Sequence, residues 1–190
     1  MRLTRVRVPM GFAALAAAVV VGAVAPAAAN AATATATGTV SGSALSVSTS
    51  AAPSFSANLD SGDVTATYSV ALATVDTRGT GVGWNETITS TQFTTGGGSP
   101  QTLATNASTV TGVTSACSSG TCTNPTNAIA YPVAVPAAAT APAAVKFFNA
   151  AANSGLGKFT ITPAVSVFVP QNTLAGTYTS TLTISIVSGP

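Results

Sequence analysis

Histidine is absent from all 190 residues, and that removes much of catalytic and metal chemistry at once. No Ser-His or Cys-His pair can form, and no imidazole is present to complete a zinc site. Charge is nearly as scarce, with six basic and four acidic residues making up 5% of the chain. Arg2, Arg5 and Arg7 crowd the N-terminus, so the remainder sets Arg78, Lys146 and Lys158 against Asp60, Asp63, Asp76 and Glu86, a net charge of −1. The basic footprint of a nucleic-acid partner is therefore missing. Neither a Gly-x-Ser-x-Gly elbow nor a nucleotide-binding glycine loop occurs. A Ser-Lys dyad using Lys146 or Lys158 would lack any motif, and the spacing of the four carboxylates does not support a glycosidase pair. The expectation is a protein without enzyme activity, metal or cofactor.

Long apolar runs are few as well. The one that exists, from Pro9 to about Val24, follows the three arginines and precedes the small residues of Pro26 to Ala32. With Ala29-Asn30-Ala31 as an A-x-A cleavage site, residues 1–31 read as a secretory signal peptide and 32–190 as a single domain. An uncleaved anchor is the competing reading, but alanine contributes little to membrane insertion, and no membrane association is expected after cleavage. Cysteine is limited to Cys117 and Cys122. An even pair in an exported chain forms a disulfide, here closing a short loop, and C-x-x-x-x-C is not the spacing of a thiol oxidoreductase.

What remains is rich in Ala, Val, Thr and Ser, the composition of a neutral extracellular β protein. Apolar residues alternate with polar ones in Ala44 to Thr49, in Ser54 to Leu59, and in a long run marked by Val64, Ala66, Tyr68, Val70 and Leu72. Asp60-Ser61-Gly62-Asp63 reads as a turn, since two carboxylates fall short of a calcium loop. Val75 breaks the phase, which predicts a bulge or strand end. Gly79, Gly81 and Gly83 then form a corner leading to Trp84, the only tryptophan, and a strand with Trp84, Glu86 and Ile88 on one face. From Thr94 to about Pro142 the chain reads as a long loop-rich insertion with short strands at most around Leu103 to Val113 and Ile129 to Val135. Ala143 to Ala152 reads as a turn or two of helix. Alternation returns at Gly157, and a last strand places Tyr178, Leu182, Ile184 and Ile186 on one face. Six or more short strands and no strong helix predict an all-β fold, an antiparallel, Greek-key-like β-sandwich.

Two stretches together resemble the WxL-type cell-wall-binding domains of Gram-positive surface proteins. The first runs from Val75 to Phe93 and includes Asp76, Arg78, Gly83 and Trp84. The second comprises Gly155 to Ile161, Val169-Pro170, and Ala175-Gly176-Thr177-Tyr178-Thr179 on through Ile184 and Ile186. The two Trp-x-Leu motifs of that family appear here as Trp84-Asn85-Glu86 and Ile184-Ser185-Ile186. The resemblance implies a secreted protein held noncovalently on the wall of a Gram-positive bacterium, through peptidoglycan or an attached glycan.

Trp84 and Glu86 are the candidate ligand-binding residues, a tryptophan and carboxylate rim against which a sugar could pack. The competing reading makes Trp84 a core residue, which an aliphatic Ile184 at the second motif favours. For Glu86 it is a solvated edge carboxylate, or one paired with Arg78 or a lysine, because an unpaired buried carboxylate is costly. Asp76 and Arg78 read as a local ion pair at a turn. The rival function is a structural subunit of a surface assembly, bound to other surface proteins by adding an edge strand to a neighbour.

Overall fold

The most regular alternation in the chain becomes the strand on which the larger sheet is built. In the computed structural model, which describes residues 34–190, Leu156–Val169 is one 14-residue strand. Numbered in chain order, the strands are β1 Leu45–Ser48, β2 Val64–Ser69, β3 Leu72–Asp76, β4 Trp84–Thr91, β5 Ser108–Thr123, β6 Val133–Ala134, β7 Ala137–Ala138, β8 Val145–Ala150, β9 Leu156–Val169 and β10 Leu182–Ser188. Thr39–Pro190 forms one compact unit; residues 34–38, exposed and without regular structure, belong to another. The signal peptide expected over residues 1–31 lies outside the described residues.

Strand β9 pairs antiparallel with β5 along one side and with β2 and then β3 along the other, giving a six-stranded sheet of order β1-β3-β9-β5-β6 with β2 also on β9. The change of partner occurs beside Pro163. Its carbonyl accepts from the Val70 amide, and since a strand residue's N–H and C=O point the same way, the missing proline N–H falls where β2 gives way to β3. A four-stranded sheet, β10-β4-β7 with β8 also on β4, packs against the first. Apart from the short parallel β4–β7 contact, the pairings are antiparallel. Trp84, Ile88 and Phe148 from the smaller sheet meet Leu72, Val110, Phe159, Ile161 and Val165 from the larger one in the main core. The all-β sandwich expected from the sequence is thus the observed architecture.

Several local expectations are corrected. Ser54 to Leu59 is not a strand; the chain from Thr49 to Asn58 is irregular, and Leu59–Ser61 is a 3₁₀ turn capped by the Asn58 side chain. Ser50 to Asn58 contains no β-branched residue to favour extended pairing. The long strand from Val64 to Leu72 is two strands, divided at Val70 and Ala71. Of the bulge or strand end expected at Val75 the strand end is what occurs, β3 closing at Asp76, and the inward positions there pass to the polar Thr74 and Asp76, both buried. The loop-rich insertion contains the 16-residue β5, whose outer half is held by backbone pairing with β9 and not by apolar burial. Val145–Ala150 is a strand and not a helix: Tyr131 and Asn149 bind the preceding segment to it, so both Phe147 and Phe148 are covered. Tyr178 lies ahead of the last strand, not within it.

Candidate functional site

The glycine corner places the tryptophan. Gly79, Gly81 and Gly83 all have positive φ, and a Cβ on Gly83 would collide with the Ala150 carbonyl oxygen. That close approach lets β4 enter the sandwich beside β8. The Trp84 side chain is fully enclosed, its indole N–H donating to the Gly155 carbonyl at 2.9 Å and its ring 5.8 Å from that of Phe148. The core reading of Trp84 is therefore the one observed.

Glu86 is fully buried too, which corrects the expectation of a solvated carboxylate. Strand β4 runs between β8 and β10, with Glu86 opposite Phe148 and Ile186, and the larger sheet covers it from the front. Its single partner is Thr74 of β3, whose hydroxyl donates to Oε1 at 2.6 Å; Oε2 has no hydrogen-bond partner among the described residues. Neither Arg78 nor a lysine reaches it: Arg78 is committed to Asp76, and Lys146 donates to the Pro190 carbonyl. Burial pushes the Glu86 carboxyl up to about 7, partly opposed by the Thr74 hydrogen bond. The open rim expected of Trp84 and Glu86 is not on the surface, since both side chains face the core.

Asp76 and Arg78 form more than an exposed turn pair. The guanidinium donates through Nε to Oδ1 and Nη2 to Oδ2, each at 2.9 Å, and the Arg78 amide also donates to Oδ1. Burial alone would raise the Asp76 pKa, but the hydrogen bonds and charge of Arg78 outweigh it and hold the carboxyl below its ordinary range. Arg78 further donates to the Gly83 carbonyl and to Ser188 Oγ, joining β3, the glycine corner and the end of β10. The motif residues Ile184 and Ile186 are half-buried on the inner face of β10, opposite Ile88 and Glu86. Cys117 and Cys122 are disulfide-bonded within β5, closing an irregularity in its pairing with β9. Asp60 lies in the 3₁₀ turn, and Asp63 accepts from the Gln171 amide.

The concave feature lies elsewhere. A cavity of about 1280 Å³ opens between the irregular segments Thr49–Asn58 and Thr173–Thr181. Its floor is aliphatic, with Val70, Leu72, Leu103 and Val169 buried beneath it. Phe55 stacks on Tyr68 at 6.2 Å and meets Phe93 edge-on at 5.4 Å. Burial pushes the Tyr68 phenol up to about 12. The 173–181 wall is pinned to the end of β4 by reciprocal Thr94–Thr179 backbone bonds and by Ser180 and Thr181 on Thr91. Tyr178, which donates to the Leu174 carbonyl, and Gly176, packed against Thr95, both belong to this wall. Serine and threonine hydroxyls line the rim, and no charged residue lines the cavity among the described residues. Sequence reading missed Phe55, Tyr68 and Phe93 as a group, because their assembly depends on a segment mistaken for a strand. The one available signal was Phe55 standing alone in an Ala/Ser/Pro stretch.

The arrangement offers a buried carboxyl held by a threonine hydroxyl, an ion pair whose carboxylate is buried, and an uncharged cavity. No curated protein and no solved structure matches the chain. Residues 38–190 match the family described as WxL domain surface cell wall-binding, and they contain the compact unit and both quoted motif regions. The chain belongs to the WxL family of surface, cell wall-binding domains.

Proposed function

We propose that this chain is secreted and non-enzymatic and holds the cell wall noncovalently through the mouth of the cavity between Thr49–Asn58 and Thr173–Thr181. The observation that carries this reading is the cavity's uncharged, hydroxyl-lined rim with aromatic rings behind it. Hydroxyls and aromatic faces suit a wall glycan, which offers its own hydroxyls and the apolar faces of sugar rings. Trp84 and Glu86 act from behind, by fixing β4, to whose end the 173–181 wall is tied. The test is co-sedimentation with purified wall sacculi. Phe55→Ala combined with Tyr178→Ala should abolish pelleting while the melting transition is retained; undiminished pelleting by that folded variant would refute the assignment.

One observation favours a second reading. Among the described residues strand β10 pairs only with β4, and its other edge, which β1 approaches without pairing, could take a neighbour's strand and extend the smaller sheet. Concentration-dependent polymers on size exclusion, without affinity for sacculi, would support that role in place of wall binding.

A further inference from the structure

The floor of the cavity poses a problem that its rim does not. Val70, Leu72, Leu103 and Val169 seal its base, and above them the half-buried Val47, Phe55, Leu182 and Ile184 present apolar surface that cannot satisfy a buried hydroxyl. A sugar pushed to that depth would strand its polar groups, which is costly. An extended peptide would fare no better, because its amides would meet side-chain methyls. A cavity of about 1280 Å³ exceeds the roughly 300–1,000 Å³ typical of small-molecule sites and leaves apolar surface unburied, so an apolar occupant restores contacts the protein alone forgoes. The absence of charged lining residues among those described also removes any fixed partner for a phosphate or carboxylate inside the cavity.

We propose that the cavity takes the hydrocarbon chain of a single-chain amphiphile from the cell envelope, with its uncharged head held at the hydroxyl rim. The chain enters between the Phe55 segment and Leu174, which is 61% exposed although it borders the cavity. Phe55, Tyr68 and Phe93 flank its path, and the half-buried Val47, Leu182 and Ile184 above the sealed base receive its end. This ligand class is independent of the wall-binding reading, because wall glycan would contact the rim and the hydrocarbon the floor.

The probe is monopalmitoylglycerol, titrated into the purified full chain and followed by isothermal calorimetry and native mass spectrometry. One molecule per chain should bind, with neither glycerol nor maltohexaose competing. Val47→Trp and Leu182→Trp place an indole in the cavity from half-buried positions on opposite sheets and should each weaken binding at least tenfold. Val187→Trp, on the outward side of β10, should leave it unchanged. It also controls for adsorption to the apolar N-terminal run, which all variants share. Melting curves confirm that the filled variants are folded. No uptake by the wild type, or equal uptake by the folded Val47→Trp and Leu182→Trp chains, overturns the proposal. Displacement by maltohexaose, or binding to phosphatidylcholine vesicles without binding the monomeric lipid, also overturns it. Pelleting with delipidated sacculi reads the wall-binding proposal separately, so the two fail by different results.

Discussion

Replacing Glu86 by glutamine should change how stability depends on pH more than stability at any one pH. The carboxyl's ordinary value is 4.5 and its value in the fold is about 7. Below pH 4.5 both states carry the proton, and the contribution is fully present. Between 4.5 and 7 the unfolded chain releases the proton while the folded chain keeps it, so stability falls with rising pH; above 7 both are ionised and the loss is complete. At about 1.4 kcal/mol per pH unit the loss is on the order of 3 kcal/mol, without a solvent discount because Glu86 is fully buried. Glutamine cannot titrate and retains an oxygen to accept from Thr74. Its amide, however, brings two hydrogens to the place where the neutral carboxyl brings one and where Oε2 finds no partner, at a further cost of roughly 1–3 kcal/mol. The variant should therefore be the less stable protein near pH 4.5 and approach or overtake the wild type above pH 7. Urea unfolding at half-unit steps from pH 4.5 to 8 measures this directly. Asp76 titrates below that window and Tyr68, raised to about 12, above it, so neither imitates the effect. Parallel stability curves for wild type and Glu86→Gln would refute the account of a carboxyl held protonated by burial.

Removing Arg78 by Arg78→Ala should cost about 3–5 kcal/mol, because Asp76 stays buried without its partner, and Arg78→Lys should recover only part of this for want of a two-pronged donor; chemical denaturation checks both. Gly155→Ala should destabilise by about 2 kcal/mol or more in thermal melts, since Gly155 has a φ of +66° and its added Cβ would stand 2.7 Å from Trp84 Nε1. Reducing the Cys117–Cys122 disulfide should lower stability by about 2 kcal/mol, a local loop-closure effect that a melt with and without reductant reads. Trp84→Phe gives up the hydrogen bond to Gly155 and leaves a void, so it should cost about 2–4 kcal/mol, while pelleting with sacculi, normalised to folded protein, stays at the wild-type level.

The fold was legible where side chains carry the period of a strand. Strand β9 shows this best: Phe159, Ile161, Val165 and Val167 alternate with less buried neighbours, and each is buried. It was illegible where the backbone alone makes the strand. Beyond Val113, β5 offers Thr, Ser, Ala, Cys and Gly, yet its pairing with β9 continues to Thr123. Strand β8 failed for the opposite reason. A register shift against β4 makes Phe147 an extra residue beside Phe148, and both are buried in the same core, so no period of two survives to be read. The Ser54 to Leu59 error shows that alternation of Phe, Ala and Leu is insufficient without β-branched residues or a paired edge.

The site divides along the same physical line. Trp84, Asp76, Arg78, Ile184 and Ile186 could be selected from local chemistry, and the structure brings them together along β3, β4 and β10. What Glu86 does there depends on Thr74, twelve residues earlier and on the opposite sheet, where an apparent break in apolar phase was a continuous inward row of polar residues. A carboxylate two positions from a tryptophan reads as surface because the rule against burying charge is strong. The structure keeps that rule by holding the carboxyl protonated through the acid range instead of exposing it. In the family's Trp-x-Leu pattern this position is apolar, so a neutral Glu86 fills a hydrophobic place only while it holds its proton. Any function that depends on the order of β4, including the cavity wall tied to Thr91 and Thr94, therefore rests on a core position whose polarity changes near pH 7.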